Sequence, residues 1–361
     1  MAVLGTRPEA IKMCPVIIEL KKRKNVDLYV CITGQHREML RSVLDIFGVR
    51  ADCDLDIMKE GQSLADITKA VLDGISEVLE REKPDVVLVH GDTTTAFAAS
   101  LACFYKKIPV GHVEAGLRTY DVYSPYPEEF NRRAIDITAS YLFAPTKLSA
   151  ENLLREGADE NSIFVTGNTA IDALRLTVRE EYSSPITEEA AGKRIILLTA
   201  HRRESHGEAL RGIFRAVRRI ADEFDDVMIV YPVHPNPIVR AAAKETLSGH
   251  ERIMLTEPLD VIAFHNLMAK SRFIMTDSGG IQEEAPSLGK PVLVLRDVTE
   301  RPEGVEAGTL RIAGTDEEKV YLACKNLLCD EAEYAKMSAA ENPYGDGKAS
   351  RRIADVLLSE S

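Results

Sequence analysis

Two doubly wound α/β domains facing across a cleft are predicted here from three observations. Short apolar runs alternate with stretches of helical periodicity, the βαβ signature of a parallel sheet. Nearly every run ends in small, charged or imidazole residues, and open α/β sheets place ligands at those carboxyl ends. The chain has 361 residues, about two domains at roughly 150 residues each.

In chain order, Met1-Ala2-Val3-Leu4 is shorter than a typical strand of about 5 residues, which fits a clipped strand or a start upstream. Residues 27–32 read as a strand ending at Thr33-Gly34. Residues 64–79 read as a helix, with Leu64, Ile67, Val71, Ile75, Val78 and Leu79 on one face. Pro84-Asp85 opens a strand over residues 86–90, and residues 110–114 form another, closed by Ala115-Gly116. The pattern thins over residues 180–193, a polar stretch around Ser183-Ser184-Pro185 that reads as a linker. Strands restart at residues 194–198, 227–231, 272–276 and 291–295, and a last helix covers residues 348–358. The expected domains are residues 1–170 with a C-terminal helix of about 346–361, and residues 171–345.

Lys plus Arg number 45 against 57 Asp plus Glu, a net charge of −12. That balance opposes non-specific binding to nucleic acid or an anionic membrane, so neither is an expected partner. No apolar run approaches the ~20 residues that span a bilayer. Met1 leads straight into a motif rather than a signal peptide. The six cysteines form no CxxC pair, as expected of a reduced, cytoplasmic protein.

Ser278-Gly279-Gly280 follows a strand and opens a helix, a phosphate cradle in which glycines admit close backbone approach and free N–H groups face an anion. The bland alternative is a glycine turn with an N-cap serine. Glu284 follows on that helix at a distance suited to ribose hydroxyls, and Arg296 and Arg301 favour a diphosphate. Arg7 and Lys12 bracket another helix start, with Pro8 in its first turn.

Asp92 and Glu114 end adjacent strands, and Glu128 lies in the Tyr123–Glu129 segment, which reads as a loop. Clustered carboxylates are expected to raise one another's pKa and so to move protons near neutral pH. Asp92 has the alternative reading of an N-cap. His201, beside Arg202-Arg203, and His234, between prolines, suit phosphate or leaving-group contact. Neither the spacing of His201 and His206 nor any Cys–His pairing supports a metal site. His112-Val113-Glu114 lacks the P-C-x-x-C partner of a deaminase, and P-loop and G-x-G-x-x-G motifs are absent. No cofactor is expected. The residues describe a cleft enzyme acting on an anionic, nucleotide-like substrate with acid/base carboxylates.

The ordered set of motifs is more specific than any member. Gly5-Thr6-Arg7-Pro8-Glu9-Ala10-Ile11-Lys12, Gly34-Gln35-His36-Arg37-Glu38-Met39-Leu40, His90-Gly91-Asp92-Thr93, His112 to Arg118, Pro127 to Arg132, Ala200 to Glu204 and Thr276 to Pro286 together resemble the non-hydrolysing UDP-N-acetylglucosamine 2-epimerases over about residues 3–355. The resemblance implies two Rossmann-like domains in a GT-B-like arrangement, a C-terminal helix packing back on the first domain, a homodimer, and interconversion of UDP-GlcNAc and UDP-ManNAc. By motif position it implies a catalytic set of Asp92, Glu114, Glu128 and His201. The implied substrate contacts are Arg7, Lys12, His234, Phe264, Ser278, Gly279, Gly280, Glu284 and Arg301, with Arg132 in the motif of Glu128.

In some bacterial members of that family a second UDP-GlcNAc acts as activator, and Gln35, Glu128, Arg202 and His234 match residues used there. Glu38 stands where a second Gln is found and Gly61 where an Arg is found, and both changes weaken anion binding. Competing readings are a UDP-sugar transferase on the same scaffold, a hydrolysing epimerase, a nucleotide-sugar sensor, and an epimerase for a related UDP-2-acetamido sugar. The carboxylates of the first domain count against the transferase and the sensor.

Overall fold

Two parallel sheets organise the chain in a computed structural model that describes residues 1–34, 37–59 and 61–359, the side chains of 37–39 excepted. Gln35 and the side chain of Glu38 therefore lie outside the described residues. The first unit runs from Met1 to Leu176 and resumes at Tyr344, and the second is Thr177–Pro343. The stretch 180–193 carries a short helix, Pro185–Glu189, and lies inside the second unit.

The first sheet comprises β1 (Ala2–Leu4), β2 (Val30–Ile32), β3 (Cys53–Asp54), β4 (Val87–His90), β5 (Val110–Val113), β6 (Tyr141–Ala144) and β7 (Ile163–Val165), in the order β3-β2-β1-β4-β5-β6-β7. The second comprises β8 (Arg194–Thr199), β9 (Val227–Pro232), β10 (Ile253–Thr256), β11 (Phe273–Thr276), β12 (Val292–Val294) and β13 (Leu310–Ile312), ordered β10-β9-β8-β11-β12-β13. Each order reverses once, between β1 and β4 and between β8 and β11. A Rossmann-like sheet opens its crevice at such a point.

Both faces of the first sheet are covered. Val3, Val87 and Val89 pack under the Leu64–Glu82 helix through Ile67, Val71, Ile75 and Leu79. This is the apolar stripe read from the sequence, except that Leu64, at the start of the helix, is exposed. The helix opens with a capping box between Ser63 and Asp66 and runs one turn past the expected end, until Lys83 turns left-handed. On the other face, Leu4 and Leu88 pack with Met13, Ile17 and Leu20 of the Arg7–Lys21 helix. Ile353 and Ala354 of the Ala349–Ser359 helix complete that cluster, so the C-terminal helix belongs to the first unit. In the second unit, Ile213, Phe214 and Val217 cover Ile229 and Tyr231.

Two local expectations are corrected. Glu128 is not in a loop: it is the first residue of the Glu128–Thr138 helix. Pro125 and Pro127 constrain the chain ahead of it, and Glu128 and Glu129 then suit the positive end of a helix. Nor does Asp92 cap a helix. Thr93 does, accepting the Ala96 N–H at 3.0 Å.

Candidate functional site

The first switch point is built on a buried glutamate. Glu9 Oε2 accepts the N–H groups of Gly5 at 3.0 Å and Thr6 at 2.6 Å, while Oε1 accepts the Thr93 hydroxyl at 2.7 Å. One carboxylate thus ties the loop after β1 to the loop after β4. Its pKa is raised, chiefly by burial. The Thr-x-x-Glu capping box at Thr6–Glu9 is the signal that reveals this role in the sequence.

Glu114 follows β5 with φ +70°, a left-handed conformation rare outside glycine. Its side chain is 11% exposed and its Oε2 accepts from the Lys12 ammonium and, at 3.0 Å, from Asn168 Nδ2. His90 Nε2 lies 3.7 Å away. Burial pushes the Glu114 carboxyl up, but Lys12 and then His90 outweigh it and hold the group well below the usual carboxylate range. This overturns the expectation that neighbouring carboxylates raise its pKa. Lys12 faces Glu114 from the Arg7–Lys21 helix.

Asp92, 25% exposed, has its own cation. Arg132 reaches Asp92 Oδ2 through Nη2 and, at 3.1 Å, through Nε. Glu129, fully buried, lies 3.3 Å from Arg132 Nη1 and accepts the N–H groups of Thr119 and Tyr120, each at 3.1 Å. Beneath the turn, His112 Nε2 donates to the Gly91 carbonyl at 2.7 Å while Nδ1 sits 2.6 Å from Asp136. Asp136 also accepts from Arg118 Nη2 at 2.7 Å. Asp92 and Glu114 are thus paired with different cations. Arg7 opens the Arg7–Lys21 helix beside them, and Glu128 begins the helix that carries Arg132.

In the second unit the end of β11 organises the site. Asp277, buried, accepts the backbone N–H of His201 at 2.5 Å and of Arg202 at 2.7 Å, and its Oδ1 lies 3.0 Å from His201 Nδ1. Burial pushes Asp277 up, but the bonds from His201 and Arg202 hold it below its ordinary value. His234 stacks on His201 with ring centres 5.0 Å apart. Its Nδ1 accepts the Asn236 N–H at 3.2 Å, which leaves the proton of the neutral ring on Nε2. Burial, and then His201, lower the His234 pKa. Its titration followed by proton NMR is therefore expected to show a midpoint below 6.5; a midpoint above that value would rule out the lowering by burial and His201.

Ser278 precedes the short Gly279–Glu284 helix without a side-chain cap bond. Arg301 is held there by Glu283, and a Cβ on Gly279 would meet its Nη2 at 3.4 Å. The guanidinium thus lies beside Gly279. Glu284 Oε2 stands 3.7 Å from His265 Nε2, and Phe264 precedes that histidine on the Val261–Lys270 helix. Arg296, which the sequence also offered to a diphosphate, bonds Glu204 at 2.6 Å and stands 3.6 Å from Glu300. Among the described residues no cluster of His, Cys, Asp and Glu is arranged to hold a metal ion, and no helix is long and apolar enough to cross a membrane.

Sequence reasoning named the reacting groups but not their holders. Glu9, Glu129, Asn168, Asp277 and Glu283 are buried or half-buried partners, each reached over the contacts above. Twin Rossmann-like sheets, one switch point rich in paired carboxylates and the other in imidazole, glycine and arginine, define an enzyme for an anionic nucleotide-type substrate. A family model described as UDP-N-acetylglucosamine 2-epimerase matches residues 18–358. The UDP-N-acetylglucosamine 2-epimerase of Bacillus subtilis is 61% identical over 358 residues, covering 99% of this chain and 94% of that protein. The structure of the Neisseria meningitidis UDP-GlcNAc 2-epimerase bound to UDP-GlcNAc superposes with a TM-score of 0.91 at 50% identity, covering 99% of both chains. The S. aureus MnaA–UDP co-structure superposes with a TM-score of 0.93 at 52% identity, covering 100% of this chain and 96% of that one. The chain belongs to the UDP-N-acetylglucosamine 2-epimerase family, an isomerase family of GT-B-like fold.

Proposed function

We propose that this enzyme interconverts UDP-N-acetylglucosamine and UDP-N-acetylmannosamine by eliminating UDP and adding it back. The sugar C2–H has no adjacent carbonyl, so its direct removal is too costly. In elimination the C1–O bond breaks as the C2 proton leaves, and the electron pair of C2–H forms the C1=C2 bond of 2-acetamidoglucal. UDP departs as the anion. Re-addition of UDP at C1, with a proton delivered to the opposite face of C2, gives the epimer.

The observation that carries this reading is the first switch point, where Asp92 and Glu114 stand on adjacent strand ends, each with its own cation. Two faces of one carbon need at least two proton-handling groups, and Asp92, Glu114 and Glu128 supply three. Glu114, kept ionised by Lys12, starts as an acceptor. Asp92 and Glu128 are the candidates for proton transfer at the other face. Arg132 and Lys12 act through these carboxylates.

His201, His234, Arg7, Arg301 and the Ser278-Gly279-Gly280 turn hold the departing diphosphate, while Glu284 and Phe264 serve the nucleoside. Charge-assisted contacts are worth roughly 1.5–3 kcal/mol each, so a few retain UDP through the intermediate. Asp277→Asn, which weakens the hold on His201, is expected to lower kcat about tenfold by the same arithmetic, read by coupled assay; unchanged kcat would remove Asp277 from the support of His201. We place the enzyme in the cytoplasm as a homodimer that supplies precursors for cell-surface polysaccharide, with Gln35 and Arg202 as candidate regulatory contacts.

The test is incubation with UDP-GlcNAc in D₂O followed by NMR. UDP-ManNAc carrying deuterium at C2 is the expected product. Free ManNAc with UDP would assign a hydrolysing reaction instead, and neither exchange nor product would overturn the substrate assignment.

A further inference from the structure

We propose that Asn168 is a positioning residue for Glu114: its side-chain amide aims the carboxylate from a backbone pinned to the segment on which the chain returns to the first unit. The proposal rests on the reading of Glu114 as an acid/base group. Asn168 follows edge strand β7, and its Nδ2 donates to Glu114 Oε2 at 3.0 Å across 54 residues of sequence. Its Oδ1 accepts the Ala170 N–H at 2.9 Å, in the first turn of the Thr169–Thr177 helix. That second bond decides the orientation of the amide, because Ala170 needs the oxygen and the carboxylate needs the nitrogen.

The backbone has equally little freedom. Asn168 N donates to the Tyr344 carbonyl at 2.7 Å. Beside it, Gly167 and Gly345 pack backbone to backbone: a Cβ on Gly345, where φ is +128°, would lie 3.1 Å from Gly167 Cα. Neither position tolerates a side chain without displacing the other strand of chain. Glu114 needs such an anchor because its own left-handed backbone projects the side chain from a tight turn. The groups facing its carboxylate are Lys12 from the Arg7–Lys21 helix, His90 from β4 and Asn168. Lys12 supplies charge, and Asn168 supplies a fixed direction.

Asn168→Asp separates the two jobs of the amide. Aspartate caps a helix as well as asparagine, so the fold is expected to persist, while the donor facing Glu114 is replaced by a second carboxylate whose repulsion lowers the melting temperature at neutral pH but not at acid pH. The expected result is a fall in kcat of about 10–100-fold with KM within about threefold. The acid limb of the kcat–pH profile should move up by about one unit or more, because paired carboxylates oppose each other's ionisation. Asn168→Ala, which also removes the cap, should add a loss of thermal stability without that upward move. Wild-type kcat and pH profile in a folded Asn168→Asp variant would overturn the proposal, as would a loss of stability with an unchanged profile. Glu114→Gln run in parallel distinguishes the failures. Wild-type turnover in that variant would sink the acid/base reading of Glu114 itself; an inactive Glu114→Gln beside a wild-type-like Asn168→Asp would sink only the positioning role.

Discussion

Asp92→Asn is expected to lower kcat for epimerisation by about 10²–10⁴-fold, the range general acid–base groups supply, while the affinity for UDP stays within about threefold. The substitution is isosteric and removes a charge and a proton carrier, not a piece of packing. Arg132 is not stranded by it, because Glu129 stands 3.3 Å from Arg132 Nη1. Asn131 Nδ2 donates to the Asp92 backbone carbonyl at 2.9 Å, a bond the substitution does not touch. The groups assigned to the diphosphate lie mainly in the second unit, so nucleotide binding should survive. C2 exchange in D₂O and calorimetric titration with UDP read the two quantities separately. Exchange at the wild-type rate would remove Asp92 from the scheme, and loss of UDP binding would assign it to recognition instead.

Lys12→Met has the largest expected effect on stability. Breaking a buried ion pair by removing one partner costs about 3–5 kcal/mol, because the remaining charge stays desolvated. For a unit of this size that corresponds to a fall in melting temperature of about 10 °C. The pH dependence follows from Glu114. In the native protein its folded pKa lies below the unfolded value of 4.5, so its contribution to stability is present above that pH and is lost as pH falls through the folded value. Without Lys12, burial acts on the carboxyl with only His90 and the Asn168 amide to oppose it, and its folded pKa rises. The stability deficit of the variant is therefore largest at neutral pH and narrows as pH falls through the variant's raised folded pKa towards the native one. In the same variant the acid limb of kcat should move up, since Glu114 takes its proton more readily. Thermal melts between acid and neutral pH measure the first, and initial rates over the same range the second. A deficit independent of pH would show that Lys12 contributes packing rather than the charge that keeps Glu114 ionised.

Particular residues show where the sequence is informative. The Leu64–Glu82 helix is legible because its buried residues recur at helical spacing and its capping box is local. Strands β4, β5, β8, β9 and β11 are legible as apolar runs that end in reactive residues. The edge strands β3 and β7, of 2 and 3 residues, carry no such period. They are strands only because a neighbour offers a ladder. Glu128 reads as loop because two prolines precede it, yet helix begins at the first residue they leave free.

The sequence by itself determined that the fold is two parallel α/β sheets and which family the ordered motifs match, since both are written in local periodicity and in residue types at strand ends. The tertiary structure alone decided the partners of each candidate group. Lys12 meets Glu114 across 102 residues, Arg132 meets Asp92 across 40 and His201 meets Asp277 across 76. Ionisation depends on desolvation and on charges within a few ångströms, and those neighbours are assigned by packing between strands and helices far apart in the chain.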